Sequence, residues 1–99
     1  MPTDRLVRFT EDFFARLDML LPDGRSADGT LSATDFLLFD LPPIRDRLAR
    51  DYEGQTLPTD DGAVRVCISR GVLVQSVALF AQLAVDDAVE VIWLSLDLG

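Results

Sequence analysis

The sequence predicts an α+β fold in a single domain that spans residues 1–99. Two observations indicate this fold: apolar residues recur at helical spacing before residue 53, and they alternate with polar residues from residue 63 onward. The length suits one core, and 48% apolar with 26% charged side chains is ordinary for a globular chain. We therefore expect a short first strand, two to three helices, and then a three-stranded antiparallel meander packed against the helices.

The first strand and the first helix follow each other directly. Residues 6–9 form a short apolar segment that we expect to be extended, and Thr10 after it is a suitable N-cap. Phe13 and Leu17 then begin an apolar face at a spacing of four residues, with charged residues on the other side. This pattern predicts an amphipathic helix of about three turns.

The second helical stretch begins with Ser32 and Asp35, which are spaced like a capping box with the shorter acid. Pro42 and Pro43 cannot donate a backbone hydrogen bond to the preceding turn, so we expect a kinked helix or two abutting helices. One apolar face nevertheless continues across the prolines. Its members are Leu37, Leu41, Ile44, Leu48 and Tyr52.

The period changes to two in residues 63–69. Val66 and Ile68 alternate with Arg65 and Cys67, which is typical of a strand with one buried face. Cys67, flanked by apolar neighbours, is predicted to be a small side chain in or near the core, because free cysteine is among the most buried residue types. Arg65 falls on the phase that we expect to point outward.

Two further strands complete the predicted meander. Arg70-Gly71 indicates a tight turn, because glycine can adopt a positive φ without steric cost. Residues 72–85 are predicted to be a strand, although their alanines, leucines and glutamines leave a helix as the alternative. Residues 89–98 alternate again, with Asp86-Asp87 as the connecting turn.

The residues that usually carry catalysis or bind metals are scarce. The chain has no histidine, so the common general base and the common zinc ligand are absent. The polar segment 23–30 superficially resembles a calcium loop, but Gly24 stands where the first acidic ligand belongs, so we expect a surface loop. The acid pairs Asp60-Asp61 and Asp86-Asp87 are typical of turns. We predict no cofactor and no metal site, and the balance is against an enzyme.

The charge of the chain disfavours nucleic acid as a partner. Nine arginines stand against seventeen acidic residues, and the formal charge is −8. Such a charge repels phosphate at long range. Phe80 and Trp93 are therefore predicted to be core residues rather than a base-stacking platform.

The composition also indicates where the protein acts. No apolar run is long enough to span a bilayer, and the first residues lack the apolar segment of a signal peptide. The single cysteine excludes an intramolecular disulfide. The many arginines without any lysine are typical of a GC-rich bacterial genome. We expect a cytoplasmic bacterial protein with no membrane contact.

The arginines form the candidate binding site. Guanidinium groups suit bidentate recognition of phosphate or of acidic protein partners. In the alternative interpretation they are solvated and salt-bridged, because acidic residues lie within one turn of each helical arginine. The five candidate residues are Arg45, Arg47, Arg50, Arg65 and Arg70.

The order of elements resembles a known family. Residues 5–9 followed by the helix from Thr10, the strand at 63–70 and the hairpin that ends at 89–96 resemble the RelE/ParE-like superfamily of small bacterial toxins. This resemblance covers nearly the whole chain and rests on element order. It implies a small antiparallel sheet packed by helices, and either ribosome-dependent mRNA cleavage or gyrase inhibition that an antitoxin silences.

The resemblance narrows the expected function. Arg65 and Arg70 match the basic strand positions of the ribonuclease members, whereas residues 96–98 lack their basic and aromatic tail and Tyr52 is the single tyrosine. We therefore expect a toxin-like component of a toxin–antitoxin module that acts through protein binding, without efficient RNase chemistry. The alternative is a non-catalytic interaction module, which would form homodimers through a strand edge or through residues 72–85.

Overall fold

The computed structural model describes residues 4–21 and 31–98. In these ranges the chain forms an α+β fold, as predicted, with helices packed on one face of a mixed sheet. The predicted loop at 23–30 lies outside the described residues. The elements are β1 (Val7–Phe9), α1 (Glu11–Leu20), α2 (Ala33–Asp35), a π-helical turn (Phe36–Asp40), α3 (Leu41–Arg50), α4 (Tyr52–Gln55), β2 (Leu57–Pro58), β3 (Arg65–Arg70), β4 (Ser76–Leu83) and β5 (Val89–Asp97).

The sheet has five strands in the order β1-β5-β4-β3-β2 within the described part of the chain. The predicted antiparallel meander forms its three central strands, and the predicted short first strand is the edge strand β1. The prediction was incomplete because it left out β2 and did not place β1 in the sheet. β1 pairs in parallel with β5, and β2 pairs antiparallel with β3. Ser76–Leu83 is a strand, so the helical alternative for this stretch is wrong. Pairing on both sides of β4 buries alternate residues, and that period of two overrides the helical propensity.

The first helix begins and packs as predicted. The Thr10 side chain accepts a hydrogen bond from the Phe13 amide at 3.3 Å, which is the predicted N-cap. Phe13 and Leu17 are buried against the sheet. Thr10 also donates its hydroxyl and its amide to the Val91 carbonyl at 3.2 and 3.1 Å, so the start of α1 is fixed to β5.

The second helical stretch confirms the capping box and contains a π-helical turn just before the prolines. Ser32 and Asp35 exchange side-chain to backbone hydrogen bonds of 3.0 and 3.4 Å. The deviation at the prolines takes the form of the π-helical turn, in which the Leu41 amide bonds to the Phe36 carbonyl. Pro42 and Pro43 lack amide protons, so the widened turn meets less competition from regular α-helical hydrogen bonds.

A buried carboxylate determines where β4 begins. Asp40, at the end of the π-helical turn, is 2% exposed. It accepts hydrogen bonds from the amides of Val72, Leu73 (2.8 Å) and Val74 (3.0 Å). These amides are thereby kept out of the sheet, and residues 71–75 form a loop where the sequence predicted a tight turn and the start of a strand. Gly71 is required for space, because a Cβ there would clash with the Val74 carbonyl.

Candidate functional site: the open face of the sheet

The two faces of the sheet differ in what covers them. On the covered face, Cys67 on β3 pairs with Leu79 on β4, which pairs with Leu94 on β5, and all three are at most 2% exposed. They pack against apolar residues of α1 and α3 such as Leu17 and Ile44. The predicted core position of Cys67 is confirmed. The residues between these positions point to the opposite face.

The opposite face carries a row of large apolar side chains across four strands. Leu57 pairs with Val66, Val66 with Phe80, and Phe80 with Trp93. Directly paired residues share a face of the sheet, so this row lies on the side away from the core. Together with three neighbours the row forms what we call the open-face patch. Its members are Leu57, Val66, Ile68, Ala78, Phe80, Ile92 and Trp93.

The patch is exposed to solvent. Ile68 is 64% exposed, Leu57 is 59% exposed and Trp93 is 43% exposed. The prediction of Trp93 as a core residue is therefore wrong, and Phe80 is only partly buried. The expected phase of β3 is also reversed: Ile68 points to solvent, while Cys67 on the arginine-containing phase is buried. The phase of β3 that contains Cys67 faces the core because the helices cover that side of the sheet.

An irregularity in β5 places Trp93 on the open face. The register pairs Phe80 with Trp93 but the next residue, Ala81, with Val91. Ile92 is thus an extra residue in the form of a β-bulge, and it shifts the alternation of β5 by one position. Val91 before the bulge and Leu94 after it both face the core. A uniform alternation over residues 89–98 could not predict this arrangement.

Arg16 connects the helix layer to the border of the patch. Its guanidinium carbon lies 4.8 Å from the centre of the Trp93 ring, which is a cation–π contact. Its Nε donates a hydrogen bond of 3.2 Å to the Leu94 carbonyl. This carbonyl belongs to the part of β5 beyond its pairing with β1, so Arg16 both satisfies a strand edge and fixes the tryptophan ring.

Charged groups of both signs border the patch. Arg8 pairs with Asp86 at 2.9 Å and lies 3.8 Å from Glu90, its register partner on β5. The hydrogen bond from Arg8 lowers the pKa of the Asp86 carboxyl, and the same bond raises the pKa of Arg8. At the other end of the strands, Arg70 and Asp97 flank Ser76 in register. The patch is therefore an apolar centre between two charged ends.

The predicted arginine site is divided among different surroundings. Arg65 lies on the covered side of the sheet, where its Nε donates to the Thr56 hydroxyl at 2.7 Å and Nη2 donates to the Thr56 carbonyl at 2.9 Å. Arg47 donates to the Ser69 hydroxyl on the same side. These two guanidinium groups link the helices to β3.

The remaining predicted arginines lie elsewhere. Arg45 is exposed and pairs with Asp46 at 2.9 Å, and the Arg50 Nε donates to the Asp46 carbonyl at 3.4 Å. Both belong to the solvent side of α3. Arg70 is exposed at the end of β3, and it is the one of the five candidates that borders the open-face patch.

The thiol of Cys67 and the hydroxyl of Tyr52 are buried in the core, where burial disfavours their ionised forms. Burial raises the pKa of the Cys67 thiol, and the nearby Arg47 charge offsets only part of that effect. Burial also raises the pKa of Tyr52, whose hydroxyl donates to the Ala81 carbonyl at 3.3 Å. Among residues 4–21 and 31–98, no three histidine, cysteine or acidic side chains are placed to hold a metal ion.

Sequence reasoning missed both Asp40 and the open-face patch. An aspartate within the otherwise apolar run at residues 36–41 was a signal for a buried acceptor, because such a charge must find hydrogen-bond donors. The patch had a weaker signal. Both phases of β3 contain apolar residues, so the alternation alone does not determine which one faces the core.

Comparison with known proteins gave no match to a family model, to a curated protein or to a solved structure. Within the part of the chain that the structure describes, no helix has the length and apolar character needed to cross a membrane. The fold and the site together define an α+β protein with one covered and one open apolar sheet face.

Proposed function

We propose that this protein acts by binding a protein partner through the open face of its sheet. The observation that carries the proposal is the open-face patch, a continuous apolar row that none of the helices described for residues 4–21 and 31–98 covers. Exposed apolar surfaces with polar borders are typical of protein-binding sites. Trp93 adds to this interpretation, because tryptophan is enriched among the residues that dominate binding energies.

The distribution of ionisable groups supports binding rather than catalysis. Cys67 and Tyr52, whose pKa values are raised by burial, are in the core and away from the patch. The ion pairs at the ends of the strands are exposed. The proposal therefore assigns recognition to the apolar residues and assigns no chemical step to any side chain.

A site-specific photo-crosslinker tests the proposal in the native cells of this protein. Placed at Trp93, the crosslinker is expected to give a discrete protein adduct. Placed at Met19, which is 78% exposed on α1, it should give none. Absence of an adduct at Trp93, or equal adducts at both positions, would overturn the proposal.

The more specific form of this function is a toxin-like component of a bacterial toxin–antitoxin module. The order of strand, helices and antiparallel meander supports this form, since it is the order on which the resemblance to RelE/ParE-like toxins rests. The expected target or antitoxin is a protein, and neither nucleic acid nor a membrane is expected as a partner. The alternative form is a homodimerisation module without toxicity.

Inducible expression in a bacterial host separates these two forms. A toxin should arrest growth, and the gene next to it should restore growth. Arg70→Ala tests whether the arginines take part in the arrest: it should abolish the arrest without changing stability, because Arg70 is exposed beside the patch. Arg65→Ala is less informative, because it also removes contacts to Thr56. Unimpaired growth with the wild-type chain removes the toxin form and leaves protein binding in place.

The proposal also places the protein in the cytoplasm. Its one cysteine, Cys67, is a free thiol, which suits a reducing compartment.

A further inference from the structure

We infer that the partner that covers the open-face patch is a second copy of this chain, so that two sheets pack face to face. This inference rests on the proposed function and names its partner. Three properties of the patch lead to a second copy: its shape, its balance of charge, and the matching of its two ends.

The shape of the patch fits another sheet. The row from Leu57 to Trp93 crosses four strands, and Ile68 and Ala78 extend it along the strand direction. A surface that spans four strands is broad, whereas a single helix binds in a narrow groove. Sheets pack well on other sheets about 10 Å apart. The open face of a second copy is a surface of this kind.

The charges favour contact through this face over contact elsewhere. The chain carries a formal charge of −8, so two copies repel each other at long range. Among the residues that the structure describes, three arginines and three carboxylates border the patch, so these border charges balance while the chain as a whole is strongly negative. Two copies therefore approach with the least repulsion when their open faces meet. The border residues are Arg8, Arg16, Arg70, Asp86, Glu90 and Asp97.

The two ends of the patch complement each other. Arg8 and Glu90 lie at one end of the strands, and Arg70 and Asp97 lie at the other. Each end carries both signs, so a two-fold axis in the interface plane can bring opposite charges together whichever ends meet. This is the condition for an isologous dimer, in which the same surface serves both copies.

The first test is the mass of the purified chain measured over a series of concentrations. Wild type is expected to form a dimer of twice the 11.0 kDa chain mass. Ile68→Arg and Leu57→Arg place a charge in the apolar centre and should weaken the dimer at least about 30-fold, a typical effect of burying an unpaired charge in an interface. Near-UV circular dichroism verifies that each variant is folded.

Leu38→Arg is the matched control. Leu38 is 62% exposed, nearly the same as Ile68, but it lies on the π-helical turn. This variant should dimerise like wild type. Dissociation by Leu38→Arg with persistence of the dimer in Ile68→Arg and Leu57→Arg would place the interface elsewhere and overturn the inference.

Salt gives a second test of the same inference. Raising ionic strength from about 0.01 M to about 0.1 M shortens the screening length from about 30 Å to about 10 Å. Salt also weakens the opposite-charge pairs at the ends of the patch, but the border charges balance in sign whereas each chain carries −8, so the loss of repulsion is the larger effect. The dimer should therefore become tighter. Weakening of the dimer under these conditions contradicts the charge argument and overturns the inference.

The crosslinking experiment separates failure of this inference from failure of the proposed function. An adduct at Trp93 of twice the chain mass supports the second copy. An adduct of another mass, with a monomeric purified chain, overturns the inference but retains protein binding through the patch. No adduct and no dimer would overturn both.

Discussion

The covered and open faces of the sheet are formed by neighbouring residues, of which one set is buried under the helices and the other is exposed to solvent. Cys67 is 2% exposed and the next residue, Ile68, is 64% exposed, although both are small or medium apolar side chains on the same strand. The covered face stabilises the fold because the helices remove it from water. The open face adds little to the stability of the isolated chain, so its residues are available for recognition. Composition alone does not distinguish the two faces; the position of the helices does.

Truncation of one residue on each face gives the largest expected contrast. Leu79→Ala removes a fully buried side chain and should lower the free energy of unfolding by about 2–5 kcal/mol. Ile68→Ala on the neighbouring strand should lower it by less than about 1 kcal/mol, measured on the monomer. Urea denaturation at a protein concentration below the dimer range measures both. Equal losses would mean that the open face is packed in the folded chain.

A substitution of Asp40 tests whether its carboxylate fixes the loop between β3 and β4. Asp40→Ala removes the acceptor for the amides of Val72, Leu73 and Val74, and it should cost about 2–3 kcal/mol because buried donors are left unsatisfied. Hydrogen exchange should accelerate at these three amides and remain slow at Ala78. If exchange at residues 72–74 is unchanged, the carboxylate does not hold the loop.

Two of the predicted binding arginines form a matched pair on opposite faces. Arg65→Ala removes hydrogen bonds to Thr56 on the covered side and should lower the free energy of unfolding by about 1–2 kcal/mol. Arg70→Ala, at an exposed strand end, should change it by less than about 0.5 kcal/mol. Thermal unfolding compares the two variants directly. A larger loss of stability for Arg70→Ala than for Arg65→Ala would show that Arg70, and not Arg65, stabilises the fold.

The parts that sequence predicted well are those determined by neighbouring residues. The Thr10 cap and the Ser32–Asp35 capping box depend on contacts over three residues, and both are confirmed. The outer two strands of the central meander were predicted because their alternation is local too, whereas the middle strand was predicted from the turns expected on either side of it. The resemblance to toxins, by contrast, used only the order of elements, and that order does not specify which face of a strand is covered.

The parts that sequence did not predict depend on contacts between distant residues. Asp40 accepts hydrogen bonds from amides more than thirty positions away. The bulge at Ile92 is defined by the pairing of its two neighbours with Phe80 and Ala81 on β4. The prediction of the candidate site was affected most by such long-range contacts. Trp93 was assigned to the core because the acidic chain disfavours a base-stacking surface. The bulge, which no local sequence feature marks, places Trp93 on the opposite face from Val91.

The smallest expected effect concerns the ion pair that borders the open face. The hydrogen bond from Arg8 lowers the pKa of Asp86, so the ionised carboxylate stabilises the fold above the ordinary aspartate pKa of about 3.9. This contribution is lost as the pH falls through the lowered pKa of the folded state. Asp86→Asn should therefore melt slightly below wild type near neutral pH, and the difference should vanish in acid.

Salt and a control variant distinguish this pair from a general effect of charge. Both partners are exposed, so added salt should reduce the melting difference between wild type and Asp86→Asn. Asp60→Asn removes an exposed loop carboxylate from the same acidic chain. Since the chain carries excess negative charge, Asp60→Asn should leave stability unchanged or raise it. If both variants lose the same stability near neutral pH, the contact between Asp86 and Arg8 does not stabilise the folded chain. The ion pair at the border of the open face would then contribute nothing to folding.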